Sequence, residues 1–472
     1  MRFILLALLF CSALFAEDKI TRHVIQLEKG PLEYTATVGT LPAYDKERAT
    51  KGEIGYVSFV REGKDRPITF CFNGGPGSAA ILLNVGALGP RRIVSAEEGQ
   101  SIAPPYQMAD NLETILDLTD LVFIDPMGTG FSHLNAKEDG KLFYDVQGDI
   151  HSVGDFIRDY IASQKRWNCR KYLAGESYGT TRAAGVSEYL QTAHGMYLNG
   201  IVLISCAIDF QTFFIGPSNQ DNQLPFFLYL PTYAATSWYH ERYRPEATLQ
   251  EVVEEATDFS YQTLAPALFR TSSLNKALYE RLSQFTGLKS ETIRRQQGRL
   301  GAHLFLREFA SEEDKILGAY DTRLTAEHNG RNPDNFFIDP SVSQMDGIVT
   351  AAFQNYLQTE LEYSSTAPYC GLSLEVNESW NFFSLTPWGY PNLMNSLRSA
   401  MLINPTMKVF VGSGYYDCVT PFAATDYCFD HLGLPHSIQS NIQMEYYEGG
   451  HMYYLSPSAR IKFKQDLTKF YQ

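Results

Sequence analysis

Hydrophobic and polar positions change rhythm three times along this chain. From Ile20 to Phe72 apolar and polar residues alternate in short runs, as in His23–Leu27, Leu32–Val38 and Ile54–Val60, with Gly or Pro between them. A period of two punctuated by turn formers predicts strands joined by hairpins. From Ile68 onward the apolar runs are short and unbroken, and each ends in a glycine-rich or polar turn. Ile68–Phe72 leads into Asn73-Gly74-Gly75-Pro76-Gly77, and Leu121–Ile124 into Asp125–Gly130. Lys171–Ala174 leads into Gly175-Glu176-Ser177-Tyr178-Gly179, and Ile201–Ser205 into Cys206-Ala207. Helical spacing fills the intervals, as at Asp145–Gln164 and Thr180–Ala193. Unbroken apolar strands alternating with helices predict an α/β fold with a mostly parallel central sheet and helices on both faces.

The alternation stops at Phe210. From there to Ser373 the chain is aromatic, polar and helical in pattern, with amphipathic stretches at Leu249–Asp258 and Leu274–Phe285. Strand-like runs resume at Lys408–Val411 and Gln443–Tyr447, with a helix-like stretch between them. Residues 17–209 and 374–472 are therefore expected to build the catalytic core, and 210–373 a mainly helical cap inserted over the sheet edge. The aromatic run Leu224–Tyr233 makes the cap a candidate source of a specificity pocket.

The first residues read as a targeting signal. Arg2 supplies a positive charge, Phe3–Phe10 is unbroken apolar, and small residues precede Glu17-Asp18-Lys19. Crossing a bilayer core of about 30 Å takes ~20 apolar residues, so this run is too short to be an anchor. Residues 1–16 are expected to be a signal peptide, cleaved after Ala13 or Ala16. Bulky Phe10 precedes Cys11 where a lipoprotein signal needs a small residue, which argues against lipidation. The mature protein is expected to be exported (periplasmic, lumenal or secreted) and to lack a membrane span.

Composition narrows the function further. Of 472 residues 44% are hydrophobic, with 30 Phe and 29 Tyr, enough for a large core and incompatible with disorder, collagen or coiled coil. The formal charge is −14, from 39 Lys and Arg against 53 Asp and Glu, and there is no basic block. Binding to nucleic acid is not expected, because phosphate contacts need clustered cations. Six cysteines remain after the leader is removed. Export permits disulfides, and Cys418 and Cys428 are close enough in sequence to pair. Cys71 and Cys206 sit in apolar runs and fit buried thiols. With no C-x-x-C, H-E-x-x-H or Walker loop, neither a metal nor a cofactor is expected.

The chemistry lies in four elements. Gly175-Glu176-Ser177-Tyr178-Gly179 fits the G-x-S-x-G elbow, which exposes a serine on a sharp strand-to-helix turn. Asn73-Gly74-Gly75-Pro76-Gly77 offers backbone N–H groups that no side chain screens, as an oxyanion hole requires. Asp417 follows Lys408–Val411 after a Gly-Ser-Gly turn, and His451 follows Gln443–Tyr447 after Gly449-Gly450. Both stand beyond the carboxyl ends of strands, where sites form in parallel sheets. The order Ser, Asp, His is that of α/β-hydrolases. Among the competing residues, Asp426, Asp430, His431 and His436 fall in or near the end of a helix-like stretch and are worse placed.

Phe72–Ser78, Asp125-Pro126-Met127-Gly128-Thr129-Gly130-Phe131-Ser132 and Gly175–Gly179, with the surroundings of Asp417 and His451, resemble the serine carboxypeptidase family. The resemblance implies an α/β-hydrolase fold and an exopeptidase that releases C-terminal residues of peptides or proteins through an acyl-enzyme. It implies Ser177 as nucleophile, His451 as general base and then acid, and Asp417 as the orienting carboxylate. The N–H groups of Gly75 and Tyr178 would form the oxyanion hole, and Asn73, Gly74 and Glu176 would hold the substrate's terminal carboxylate. Two departures stand out. Phe72 and Ser78 replace the Trp and Cys of many eukaryotic relatives, and Ala87 stands before Leu88-Gly89-Pro90 where the family often has a second Glu. An esterase or acyltransferase on the same scaffold, or a non-catalytic binding protein, are the competing readings.

Overall fold

The computed structural model describes residues 18–472 apart from 64, 97–99, 101, 137, 215–220, 329–338, 344 and 386–388. The expected leader, residues 1–16, lies outside the described residues. A ten-stranded sheet organises the molecule. Its main strands are β1 (Lys19–Leu27), β2 (Gly30–Tyr44), β3 (Thr50–Val60), β4 (Ile68–Phe72), β5 (Asp120–Ile124), β6 (Lys171–Ser177), β7 (Gly200–Cys206), β8 (Lys408–Gly414) and β9 (Ile442–Tyr447). They lie in the order β1-β2-β3-β5-β4-β6-β7-β8-β9, and the short strand His133–Leu134 pairs beside β3. The first three strands are antiparallel, and β3 meets β5 antiparallel. From β5 to β9 every pairing is parallel.

Both faces of the parallel strands are buried, which is why their sequences are continuous rather than alternating. The two faces nevertheless divide residue by residue. Cys71, Phe123, Ala174, Val202 and Phe410 pack on one side with Phe463 and Leu467 of the C-terminal helix Pro457–Phe470. Phe70, Ile124, Leu173, Leu203 and Val411 pack on the other with α1 (Val146–Ser163) and α2 (Tyr178–His194). Asp145 caps α1 by accepting the Gly148 N–H at 2.7 Å, and α2 ends at Gly195 in a left-handed conformation.

Helices from Leu224 to Glu308, followed by the two-stranded ribbon Lys315–Leu317 and Thr325–Glu327, rise over the carboxyl ends of β6, β7 and β8. Phe227, Leu228, Tyr233, Leu282 and Phe305 form one buried cluster with Tyr178, Ala207 and Cys418, so this block is anchored on the strand ends. The helix Asp346–Thr359 is placed differently. Its Ile348, Phe353 and Tyr356 are buried against the sheet with Val57, Phe59 and Phe123. Apolar helical spacing alone does not say which surface a helix covers, and this helix also brings Val349 to the cavity beside Ser177.

The six cysteines of the described chain are all free thiols. The suggested Cys418–Cys428 pair is not formed. Cys418 borders a cavity beside Ser177, whereas Cys428 lies in the core under β7 and β8 on the helix Phe422–Asp430. Reducing agent is accordingly expected to leave the melting temperature unchanged. Thiol titration of the mature protein should count six groups once it is denatured and far fewer beforehand; a reductant-sensitive transition would contradict this.

Candidate active site

The site begins where β6 turns into α2. Ser177 sits on this turn at φ +58°, ψ −128°, a region that costs a non-glycine residue roughly 1–3 kcal/mol. Close backbone packing holds it there. A Cβ on Gly175 would stand 2.2 Å from the Gly179 carbonyl oxygen. The loop after β4 approaches from the other side. A Cβ on Gly74 would stand 2.5 Å from the Tyr178 nitrogen and 2.8 Å from the Glu176 carbonyl oxygen, and Gly75 has φ +99°. The Tyr178 N–H is the first of α2 and has no intrahelical acceptor, so it is a donor aligned with the positive end of the helix.

A buried ion pair braces both segments. Arg182 of α2 donates from Nε to both oxygens of Asp149, at 3.0 and 2.8 Å, and from Nη1 to the Asn73 carbonyl at 2.6 Å. Its guanidinium also faces the rings of Phe72 and Tyr178, at 5.3 and 5.4 Å from their centroids. One side chain thus ties the loop after β4 to the helix that opens the elbow.

Asp417 and His451 meet beyond β8 and β9. His451 Nδ1 lies 2.7 Å from Asp417 Oδ2. The other Asp417 oxygen accepts the N–H groups of Val419 and Thr420 at 2.7 and 2.9 Å, while Thr420 Oγ1 donates to Oδ2 at 2.7 Å. The carboxylate is fully buried and held from every side, which fixes the imidazole. Burial disfavours the charged imidazole, but the Asp417 carboxylate and then Glu176 outweigh it and raise the His451 pKa. Gly450 N–H donates to Asp321 at 3.1 Å, and Arg323 grips Asp321 through Nε at 2.9 Å and Nη2 at 2.7 Å. Asp426, the competing acid, bonds Tyr446 from the helix Phe422–Asp430, away from this cluster.

Glu176 is buried next to the serine, and desolvation pushes its carboxyl up to about 7. Asn73 Nδ2 and the Tyr454 hydroxyl both donate to its Oε2, at 2.6 and 2.8 Å. Asn73 is itself fixed, its Oδ1 accepting the Leu83 N–H at 3.1 Å. Ala87 is buried in the apolar cluster under the sheet and brings no polar atom to Glu176. The second group on Glu176 is a tyrosine from the other end of the chain.

Two cavities meet at Ser177. One, of about 350 Å³, is lined by Gly75, Tyr178, Phe210, Phe214, Tyr229 and Leu317 among others. Of the run Leu224–Tyr233, Tyr229 reaches this wall, while Phe227, Leu228, Leu230 and Tyr233 are buried in the block's own core. The other, of about 320 Å³, contains Asn73, Gly74, Glu176 and His451 and is walled by Ile81, Val349, Leu372 and Met452. Tyr320 borders both cavities and packs edge-on to the His451 ring at 5.2 Å.

All eight residues singled out from the sequence therefore lie in this region: Ser177, Asp417 and His451, Gly75 and Tyr178, and Asn73, Gly74 and Glu176. Sequence reasoning passed over Arg182, Asp149, Tyr320, Asp321, Thr420 and Tyr454. Thr420, three residues after Asp417, carries the spacing of a local side-chain turn and could have been noticed. The others act across 33 to 278 residues of sequence separation and leave no local signal.

Comparison with known proteins places these observations in context. The family model described as serine carboxypeptidase matches residues 56–455. Serine carboxypeptidase-like 36 of Arabidopsis thaliana is 30% identical over 129 residues, a match spanning 26% of this chain and 24% of that protein. Kex1(delta)p of Saccharomyces cerevisiae, a prohormone-processing carboxypeptidase, superposes with a TM-score of 0.58 at 16% identity, covering 93% of this chain and 91% of its own. That likeness is one of α/β-hydrolase fold.

The brace can be tested directly. Arg182→Leu strands the Asp149 carboxylate in the core and is expected to destabilise the protein by about 3–5 kcal/mol in urea unfolding. Adding Asp149→Leu should recover most of the stability. It should not restore full turnover, because the Asn73 carbonyl stays unsupported. A single variant within 1 kcal/mol of wild type, on the order of an exposed pair's worth, would refute the role.

Proposed function

This chain belongs to the serine carboxypeptidase family, and on that premise we propose that it releases C-terminal residues from peptides through an acyl-enzyme on Ser177. The observation that carries this reading is the shared cavity, in which Ser177 and His451 stand beside a buried carboxyl and amide, Glu176 and Asn73. Ser177 Oγ attacks the carbonyl carbon of the last peptide bond while its proton passes to His451 Nε2, the ring nitrogen left free by Asp417. The N–H groups of Gly75 and Tyr178 stabilise the oxyanion. The C–N bond breaks as His451 returns the proton to the leaving amine. Water then adds to the acyl carbon as it gives a proton to His451. The ester C–O bond breaks as His451 passes that proton to Ser177 Oγ, releasing the shortened peptide with its new carboxyl group.

Asn73, the Gly74 N–H and Glu176 receive the substrate's terminal carboxylate. A protonated Glu176 can donate to it, whereas an ionised one would repel it. The aromatic cavity takes the acyl-side residue, and the cavity with Glu176 takes the departing one. Their apolar walls favour large apolar side chains on both sides of the bond. The expected leader supports export, and among the described residues no helix is long and apolar enough to cross a membrane.

Two measurements test this. On a panel of N-blocked dipeptides with free carboxylates, the wild type should work fastest on large apolar pairs, and Ser177→Ala should fall below about 1% of its turnover with the fold intact. A fluorophosphonate should label the wild type alone; a variant retaining more than a few per cent of the rate sinks the nucleophile. The second measurement is KM against pH. With Glu176 neutral up to about pH 7, KM for these peptides should be flat below that pH. Above it KM should climb by up to about tenfold per unit, as the proton must be supplied from solution. Glu176→Gln should flatten the climb, since an amide donates at any pH. A wild-type KM independent of pH and untouched by Glu176→Gln would exclude carboxylate recognition by this residue.

A further inference from the structure

We infer that Tyr454 is a positioning residue that directs the Glu176 proton to Oε1, the oxygen left to face the cavity. This rests on the reading that Glu176 receives the substrate carboxylate. The geometry is asymmetric. Among the described residues, both donors that reach Glu176, Asn73 Nδ2 and the Tyr454 hydroxyl, bond to the same oxygen, Oε2. An oxygen that accepts two hydrogen bonds is the carbonyl oxygen of a neutral carboxyl, because a proton on it would point at donors. The acid proton is left on Oε1, where it can be offered to an arriving carboxylate.

Tyr454 is built to hold that place. It lies in the short helix Tyr453–Leu455, three residues after His451, and is fully buried. Its ring edge is pressed against Gly86, where an added Cβ would stand 3.2 Å from Cε2, and its neighbour Tyr453 stacks on Tyr447 at 4.2 Å. Burial, and then the Glu176 charge, hold the phenol protonated far above assay pH, so it donates whether Glu176 is neutral or ionised. The other ionisable groups facing Glu176 are His451 and Asp417 from beyond β9 and β8, Tyr320 from the ribbon and Tyr453. None of these donates a hydrogen bond to its carboxyl.

Removing the hydroxyl has two separable consequences. In Tyr454→Phe the proton is no longer confined to Oε1, so carboxylate binding weakens even where Glu176 is fully protonated. The ionised form also loses a donor, so Glu176 keeps its proton to a higher pH. The test uses the full mature enzyme with two substrates: an N-blocked apolar dipeptide with a free carboxylate, and the matching N-blocked amino-acid ester, which has none. For Tyr454→Phe, KM for the dipeptide at pH 5.5 should rise about three- to tenfold, and the pH at which KM starts to climb should move up by about half a unit to one unit. Turnover of the ester should stay within about twofold of wild type. 3-Fluorotyrosine at 454 keeps the ring and sharpens the donor, so it should move the climb to lower pH and serves if the Phe variant does not fold. Parallel losses on dipeptide and ester would reduce Tyr454 to packing, and an unchanged KM profile in either variant would overturn the proposal. Glu176→Gln measured alongside separates the two layers. If it leaves the dipeptide profile unchanged, the carboxylate reading itself fails and Tyr454's role with it. If it acts while Tyr454→Phe does not, only the role of Tyr454 falls.

Discussion

The structure turns on one close approach of backbone to backbone. The loop after β4 and the turn after β6 come so near that no side chain fits between them. A Cβ on Gly74 would strike the Tyr178 nitrogen, and one on Gly179 would strike the Phe72 carbonyl. This contact holds Ser177 in a conformation it would not adopt alone. It also brings the N–H of Tyr178 beside the loop that carries Gly75. The two segments are neighbours because β4 and β6 are adjacent and parallel, with Phe72 opposite Gly175. Strand order thus becomes site geometry with no side chain as intermediary.

Buried charge then locks what the backbone brings together. Arg182 and Asp149 are enclosed by the core, and the arginine spends a further donor on the Asn73 carbonyl. Asp321, gripped by Arg323, holds the Gly450 N–H just ahead of His451. Asp417 is satisfied by two backbone N–H groups, a threonine hydroxyl and the imidazole. In each case the ion's worth lies in direction. A charge removed from water must be met by donors at fixed angles, and those donors become rigid in turn. The same desolvation that makes these pairs demanding keeps Glu176 protonated near neutrality.

The helical block supplies what the sheet edge lacks. Ser177 ends β6 at the sheet edge, and the cavities beside it are walled largely by residues from outside the sheet. Phe210, Tyr229 and Leu317 close one side, and residues around Val342, Val349 and Leu372 close the other. The two cavities meet at the serine.

Much was legible before folding. Unbroken apolar runs ending in glycine turns announced the parallel sheet, because a strand buried on both faces has no polar side to alternate. The elbow, the Asn73–Gly77 loop, Asp417 and His451 were readable because each sits in a local turn whose residue types have few other uses. Which surface each helix covers was not readable, since helical spacing is the same for a sheet face and a cavity wall, and Asp346–Thr359 meets both, with Phe353 against the sheet and Val349 on the cavity. Nor did spacing reveal that Cys418 and Cys428 part company. Above all, the partners of the site residues belong to the tertiary structure. Arg182 finds Asp149 and the Asn73 carbonyl, and Tyr454 finds Glu176 across 278 residues. Sequence by itself determined which groups are candidates for the chemistry, because that depends on residue type and local turn. Only the fold decided which oxygen of Glu176 is held and which is left to the cavity, because that depends on side chains meeting from opposite ends of the chain.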